Sequence, residues 1–264
     1  MSNPSVRKDG VLDIPCIKDQ VSEEEWQARV DLAAAYRMCA HLGWDDLIYT
    51  HISARVPNTD HHFLINPLGL MFEEMTASSL IKVDLNGKAQ METPFIPNAA
   101  GFVIHSAIHA AREDAGCVLH LHTDYGVAVS NLKSGLEPLC QSSIPAWSVV
   151  SYHDYEGFAV NDGEQERLVA DLGDKNAMIL RNHGTLTAAS TTAQAFELMF
   201  FLEKACKVQI LTRATGMELH APSQESLDNA LRDLRVVAGA NGADRFVWPA
   251  ILRKMDRLDP SFRT

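Results

Sequence analysis

The chain contains no CxxC pair and an odd number of cysteines. Cys16, Cys39, Cys117, Cys140 and Cys206 therefore suggest neither a disulfide framework nor a zinc knuckle, and most read as small buried apolar residues. No run of about 18 apolar residues occurs, so no membrane-spanning helix is expected. The start, MSNPSVRKDG, lacks the apolar centre of a signal peptide. Basic residues are outnumbered, 23 against 34 acidic, and the formal charge of −11 leaves no basic stripe for phosphate backbones or anionic lipids. Internal repeats, low-complexity tracts and long linkers are also absent. These absences point to a cytoplasmic protein with neither nucleic acid nor membrane among its partners. With 264 residues and 46% hydrophobic content the chain can bury a sizeable core. The expected organisation is an N-terminal arm over 1–21, a main domain over 22–220 and a C-terminal helical tail over 221–264.

The local signals alternate between helix and strand. Ser22 with Glu25 forms a capping box and Val21 with Trp26 a hydrophobic staple, so a helix is expected from Glu23 to Leu42, stopped by Gly43. Residues 47–56 alternate as a strand, and a second strand, 62–65, follows the turn at 57–60. "INPLG" reads as a tight turn, and 80–85 as a strand entering a hairpin at Asn86-Gly87. Further on come a helix over 99–112, a strand over 117–122, a helix over 164–172 ended by Gly173, and a strand over 177–180. The helix over 192–215 is apolar almost all round, as suits a core or a subunit interface. "SQESLDNALRDLRVV" reads as an amphipathic helix in the tail. Trp248 and Phe262 can anchor either a neighbouring subunit or the tail's own domain. Such a mixture argues for a layered α/β or α+β domain.

Histidine is the informative residue. The chain has eleven, and imidazole is both the commonest metal ligand and the usual proton carrier near neutrality. In "HLHTDYG", His120 and His122 stand two apart on a strand, so both project to one face while Leu121 packs on the other. "LRNHG" adds His183 just past another buried strand. Three neutral imidazoles leave a coordination position open on a divalent ion, the catalytic pattern rather than the closed structural one. The competing explanation is a set of core histidines satisfied by backbone carbonyls. His105 and His109, four apart on a helix, also have ligand spacing. The zinc-protease motif, however, needs Glu directly after the first His, and Ser106 stands there. They are expected to face the sheet, and His61 and His62 to be solvated near a turn.

The strand pair His120 and His122, "RNHG" with His183, "INPLG" and "HSAIHAARED" together resemble the class II aldolase/adducin family over about residues 25–215. The resemblance implies a three-layer α/β/α domain with a central mixed or antiparallel sheet. It also implies a zinc or similar divalent ion, with manganese or cobalt as alternatives, on His120, His122 and His183, and a homotetramer with sites near subunit boundaries. Aldolases of the family carry "PSSEW", whose Glu is metal ligand and proton carrier and whose serines help hold a substrate phosphate. The matching stretch here is Asn98-Ala99-Ala100-Gly101-Phe102, so Gly101 replaces the acid and Ala99 and Ala100 the serines. The family's "GNxS" loop is represented by Thr50-His51-Ile52-Ser53. Donors for phosphate are thus depleted, and usual cleavage of a phosphorylated sugar is not expected. "AGFVIHSAIHAARED" and "VSYHDYEG" are closer to the adducin branch, whose head domains are regarded as catalytically silent but usually lack the intact histidine set.

Two readings follow. One is a metal-dependent aldolase/lyase-like enzyme for a small non-phosphorylated hydroxy-carbonyl or hydroxy-acid substrate, able to support retro-aldol cleavage, epimerisation or decarboxylation. The other is a non-catalytic adducin-like binding module with a retained or vestigial metal. For the enzyme, His51, His105, Tyr152 or metal-bound water are candidates for the proton carrier, and Asp124 or Glu73 for an acid from elsewhere. Arg55 and Asn66 are candidates to orient a carboxylate.

Overall fold

The computed structural model describes residues 12–97, 99–157, 162–238 and 241–264. The first long helix, α1 (Glu23–Leu42), has the expected bounds: the Glu25 amide donates to the Ser22 hydroxyl at 3.1 Å, and Gly43 closes the helix in the left-handed region at φ 68°. Only half of the capping box forms. The Glu25 carboxylate turns inward, accepting from Arg29 Nη2 at 2.8 Å and from Lys82 Nζ at 2.7 Å, because a fully buried guanidinium offers it more than a helix-end amide does. Arg29 also donates to the Ala77 and Leu80 carbonyls, tying α1 to the sheet's edge.

Seven strands form one sheet: β1 (His51–Arg55), β2 (Phe63–Ile65), β3 (Ile81–Val83), β4 (Cys117–Leu121), β5 (Val150–His153), β6 (Ala177–Leu180) and β7 (Gly184–Ala189), in the order β3-β2-β1-β4-β7-β6-β5. β5 and β6 run parallel and every other pair is antiparallel, so the sheet is mixed. The strand expected over 47–56 starts only at His51, since Leu47 (φ 52°) and Thr50 (φ 62°) take left-handed conformations that no strand continues. β5 and β7 were not anticipated. β7 opens on the glycine of "RNHG" and carries threonines and alanines instead of large apolar residues, which masks its burial.

Helices cover both faces. α1, α3 (Asp124–Ser130), α4 (Ile144–Trp147) and α6 (Thr192–Arg213) lie on one side; α2 (Ala99–Ala111) and α5 (Asp162–Leu172) lie on the other. The cores divide accordingly. Ile52, Leu119, Leu121 and Ile179 pack with α1 and α6, whereas Val118, Met178, Leu180 and Leu186 pack with Ile104 and Ile108 of α2 and Leu168 and Leu172 of α5. This is a three-layer α/β/α domain, and strand alternation decides which layer each side chain joins.

The tail comprises α7 (Gln224–Ala238), a π-type turn at Ala243–Val247 and α8 (Trp248–Leu258), and it packs on its own domain. Trp248 lies 5.8 Å from the Phe196 ring and donates its indole N–H to Asp31 at 2.8 Å; Phe262 is fully buried in the core shared with α1. No helix among the described residues is long and apolar enough to cross a membrane. Arg29→Ala, which leaves the buried Glu25 carboxylate with Lys82 alone and takes the donor from the Ala77 and Leu80 carbonyls, should cost about 3 kcal/mol or more in urea unfolding.

Candidate metal centre

β1 and β4 build the site because their inward faces differ in polarity. On β1, Ile52, Ala54 and Val56 enter the α1/α6 core, so alternation turns His51, Ser53 and Arg55 toward α2. β4 pairs with β1 so that His51 stands opposite His120, which shares the α2 face with Val118. His122 lies one residue beyond the strand. His183 sits in the turn joining β6 to β7, where Asn182 takes φ 55° and the His183 amide donates to the Leu180 carbonyl. Gly184 is required there, since a Cβ would lie 2.6 Å from the Leu121 carbonyl oxygen and 3.0 Å from the His122 ring.

One ring nitrogen from each of His120, His122 and His183 can be chosen so that all lie within 4.8 Å of one another, and among the described residues no acid or thiol joins them. The tautomers follow from their partners. His120 Nδ1 lies 3.1 Å from the Thr185 carbonyl and His122 Nδ1 lies 2.9 Å from the Asp46 carboxylate, both pure acceptors, so each Nδ1 carries the proton. Burial and the neighbouring imidazoles hold the His120 pKa well below its usual value, and burial first, then His122, brings His183 down to about 4. His120, kept neutral by burial, turns its Nε2 lone pair to His122 Nε2 across 3.1 Å. Nitrogens about 2.0–2.1 Å from a tetrahedral zinc stand roughly 3.3 Å apart, so the two are spaced to share one divalent ion. Asp46 and the Thr185 carbonyl orient the ligand rings as outer partners usually do. The donor set fits a divalent ion.

A second polar chain leads away from the triad. The His51 ring is 5.5 Å from His120 and 4.5 Å from His105. Ser53 Oγ lies 2.6 Å from His105 Nδ1 and 2.7 Å from His109 Nε2, and His109 Nδ1 lies 3.0 Å from the Ala115 carbonyl. The carbonyl fixes the chain's direction: His109 donates to it, Ser53 donates to His109, and His105 donates to Ser53. The buried Nε2 of His105 is left as a bare lone pair.

The sequence candidates thus separate. His51 and His105 lie beside the triad, and His109 faces the sheet as expected. Tyr152 does not join them: β5 alternation sends it to the α6 side, where its hydroxyl accepts from the Leu136 amide at 3.0 Å and Arg181 stacks on its ring. Asp124 does not continue the face of His122, because β4 has ended and Asp124 is exposed as the first residue of α3. Glu73 lies in a short 3-10 turn at Phe72–Glu74. Arg55 donates to the His109 and Arg112 carbonyls, and Asn66 accepts from Tyr36, so both already hold the scaffold. Gly101 falls in α2; Asn98 and the side chains of 99–102 lie outside the described residues. Asp46, His153 and Glu164 were missed. Only sheet pairing brings Asp46 to His122, and His153 stood one residue from the candidate chosen, a distance that alternation turns into the opposite face.

The profile of the family described as Class II Aldolase and Adducin N-terminal domain matches residues 30–210. The chain belongs to this family. A provisionally named class 2 aldolase protein of Caulobacter vibrioides is 52% identical over 254 residues, covering 96% of this chain and 98% of that protein. Alpha-adducin of Rattus norvegicus is 44% identical over 191 residues, covering 71% of this chain but 26% of the adducin. The crystal structure of an aldolase II superfamily protein from Pseudomonas syringae superimposes with a TM-score of 0.90 at 48% identity, covering 94% of this chain and 99% of that one. L-fuculose 1-phosphate aldolase from Glaciozyma antarctica PI12 gives 0.78 at 30%, covering 96% and 97%.

The buried imidazoles make metal-free stability depend on pH. Burial, the largest cause, lowers the His109 pKa to about 3 and that of His105 well below its usual value. In the unfolded chain they take up protons below about pH 6.5, whereas folded His109 waits until about pH 3. The unfolded state thus binds more protons between those limits, and stability falls as pH falls. The urea midpoint of chelator-treated protein should drop steadily from pH 7 to pH 4.5.

Proposed function

We propose that the protein is a divalent-metal-dependent lyase of the aldolase type, acting on a small non-phosphorylated hydroxy-carbonyl or hydroxy-acid compound. The observation that carries this reading is the placement of His120 Nε2 and His122 Nε2 3.1 Å apart, with both Nδ1 protons already committed to the Thr185 carbonyl and the Asp46 carboxylate. With His183 they would hold zinc, or manganese or cobalt in its place. When bound, such an ion supplies a Lewis acid for a substrate chelated through a hydroxyl and a carbonyl or carboxylate oxygen. Asp46 and the Thr185 carbonyl keep the ligand rings in register. His51, on the row beside His120, is the proposed proton carrier, and His105 behind it presents a base of fixed tautomer. Glycine and alanines stand where the family's aldolases carry an acid and serines, which argues against a sugar phosphate as substrate.

The alternative is a binding module like the adducin head, favoured by the 44% identity to alpha-adducin. Metal content separates the two. Untagged protein should carry about one divalent ion per chain, and His122→Ala and His183→Ala should each lose it. His51→Ala should keep the ion and lose at least about 100-fold in metal-dependent cleavage of whichever hydroxy-acid or hydroxy-aldehyde a screen returns. No ion in the wild type, and none taken up from zinc, manganese or cobalt, would favour the module.

The family resemblance also underlies a proposed homotetramer. It would cover Phe200 and Leu211, exposed by 37% and 51% on α6. Light scattering should then give about four times the 29.1 kDa chain mass.

A further inference from the structure

On the far side of His183 from the α1 layer lies a small solvent-open cavity, bounded by Ile104, His153, Glu164, Arg181 and His183 among others. Two of its polar side chains are buried without full partners: His153 is 3% exposed and Glu164 is 7% exposed. His153 Nδ1 donates to the Asp171 carboxylate at 2.7 Å, which leaves Nε2 turned to Glu164 and the cavity. Its nearest partner there, Glu164 Oε1, stands 3.7 Å away, too far for a hydrogen bond, and among the described residues both His153 Nε2 and Glu164 Oε2 lack one. Buried polar atoms left unmatched are costly, and two beside one cavity call for a ligand with hydroxyl groups, which can donate to the Glu164 carboxylate and either donate to or accept from His153 Nε2.

Charge narrows the choice. Arg181 already donates to the Leu132 carbonyl at 2.6 Å and lies 4.2 Å from the Tyr152 ring centroid, while Arg167 is paired with Glu156. Arg181 is the one cation among the residues lining the cavity, against the carboxylates of Asp154, Glu156 and Glu164, so the balance of charge there is negative. A phosphate or second carboxylate is therefore disfavoured there, whereas hydroxyl groups supply donors without charge.

We infer that His153 and Glu164 form a recognition subsite for the uncharged hydroxyl end of a polyhydroxy acid whose other end is held at the histidine triad. This deepens the proposed function and rests on the triad binding the hydroxy-acid head. Asp171 acts as a positioning residue, holding the His153 ring. His183 borders both places, so one short carbon chain spans triad and cavity.

The test is calorimetric titration of the zinc-loaded protein with three probes sharing an α-hydroxy-acid head: 2-hydroxybutanoate, erythronate and 4-phosphoerythronate. Erythronate should bind at least about fivefold more tightly than 2-hydroxybutanoate, the worth of one net hydrogen bond, and 4-phosphoerythronate more weakly than erythronate. Glu164→Ala should abolish the erythronate preference while keeping zinc content and 2-hydroxybutanoate affinity. Glu164→Gln keeps the shape but offers its own amide donor to His153, and should do the same. Equal binding of erythronate and 2-hydroxybutanoate, a preference that survives in both variants, or tighter binding of the phosphorylated probe would overturn the subsite and leave the metal reading intact. Failure of all three probes to bind the zinc-loaded protein would overturn the triad's role as a hydroxy-acid site, and this inference with it.

Discussion

Two imidazole nitrogens, Nε2 of His120 and Nε2 of His122, face each other across 3.1 Å, and the surrounding structure holds them there. The Thr185 carbonyl and the Asp46 carboxylate accept from the other ring nitrogens, burial keeps His120 neutral, and Gly184 lets the β6–β7 turn bring His183 alongside. Nitrogens arranged in this way suit a divalent cation. Burial, which disfavours the charged imidazole, keeps His120 and His183 in the neutral form that such an ion would need.

That constraint extends into the sheet. Because β1 pairs antiparallel with β4, the polar row His51, Ser53 and Arg55 is set beside His120 and beneath α2. A fully buried polar row would be costly without a complete set of partners. The Ala115 carbonyl supplies the starting point, fixing in turn His109, Ser53 and His105. The layer on the other face is built almost entirely from apolar packing, helped by the buried Glu25–Arg29–Lys82 group that locks α1 to β3. Scaffold and chemistry are thus divided by the sheet.

Family membership does not by itself decide activity, since the family's description joins aldolases and adducin domains. This chain combines a histidine triad with a glycine, Gly101, in α2. Beside the triad are two further groups of polar side chains: the His51–His105 row, and the His153–Glu164 pair backed by Asp171. The first is proposed to move protons, the second to receive hydroxyl groups.

The sequence by itself determined the histidine triad, because strand alternation aims His120 and His122 to one side and "RNHG" shows its tight turn in its composition. It also determined α1, α5 and β6 with near-correct bounds, through caps and glycine stops acting over a few residues. Those signals are local, and local physics produced the elements they mark. Tertiary structure alone decided the rest. Asp46 reaches His122 across 76 positions of chain; His153 and Tyr152, adjacent in sequence, part to opposite layers; and Glu164 meets the cavity only because α5 packs beside α2. β7 too was hidden, since threonine and alanine are buried there by neighbours on both faces and not by their own hydrophobicity. Such choices depend on which strands pair and which helices cover them, an outcome of the whole chain's packing that no short stretch encodes.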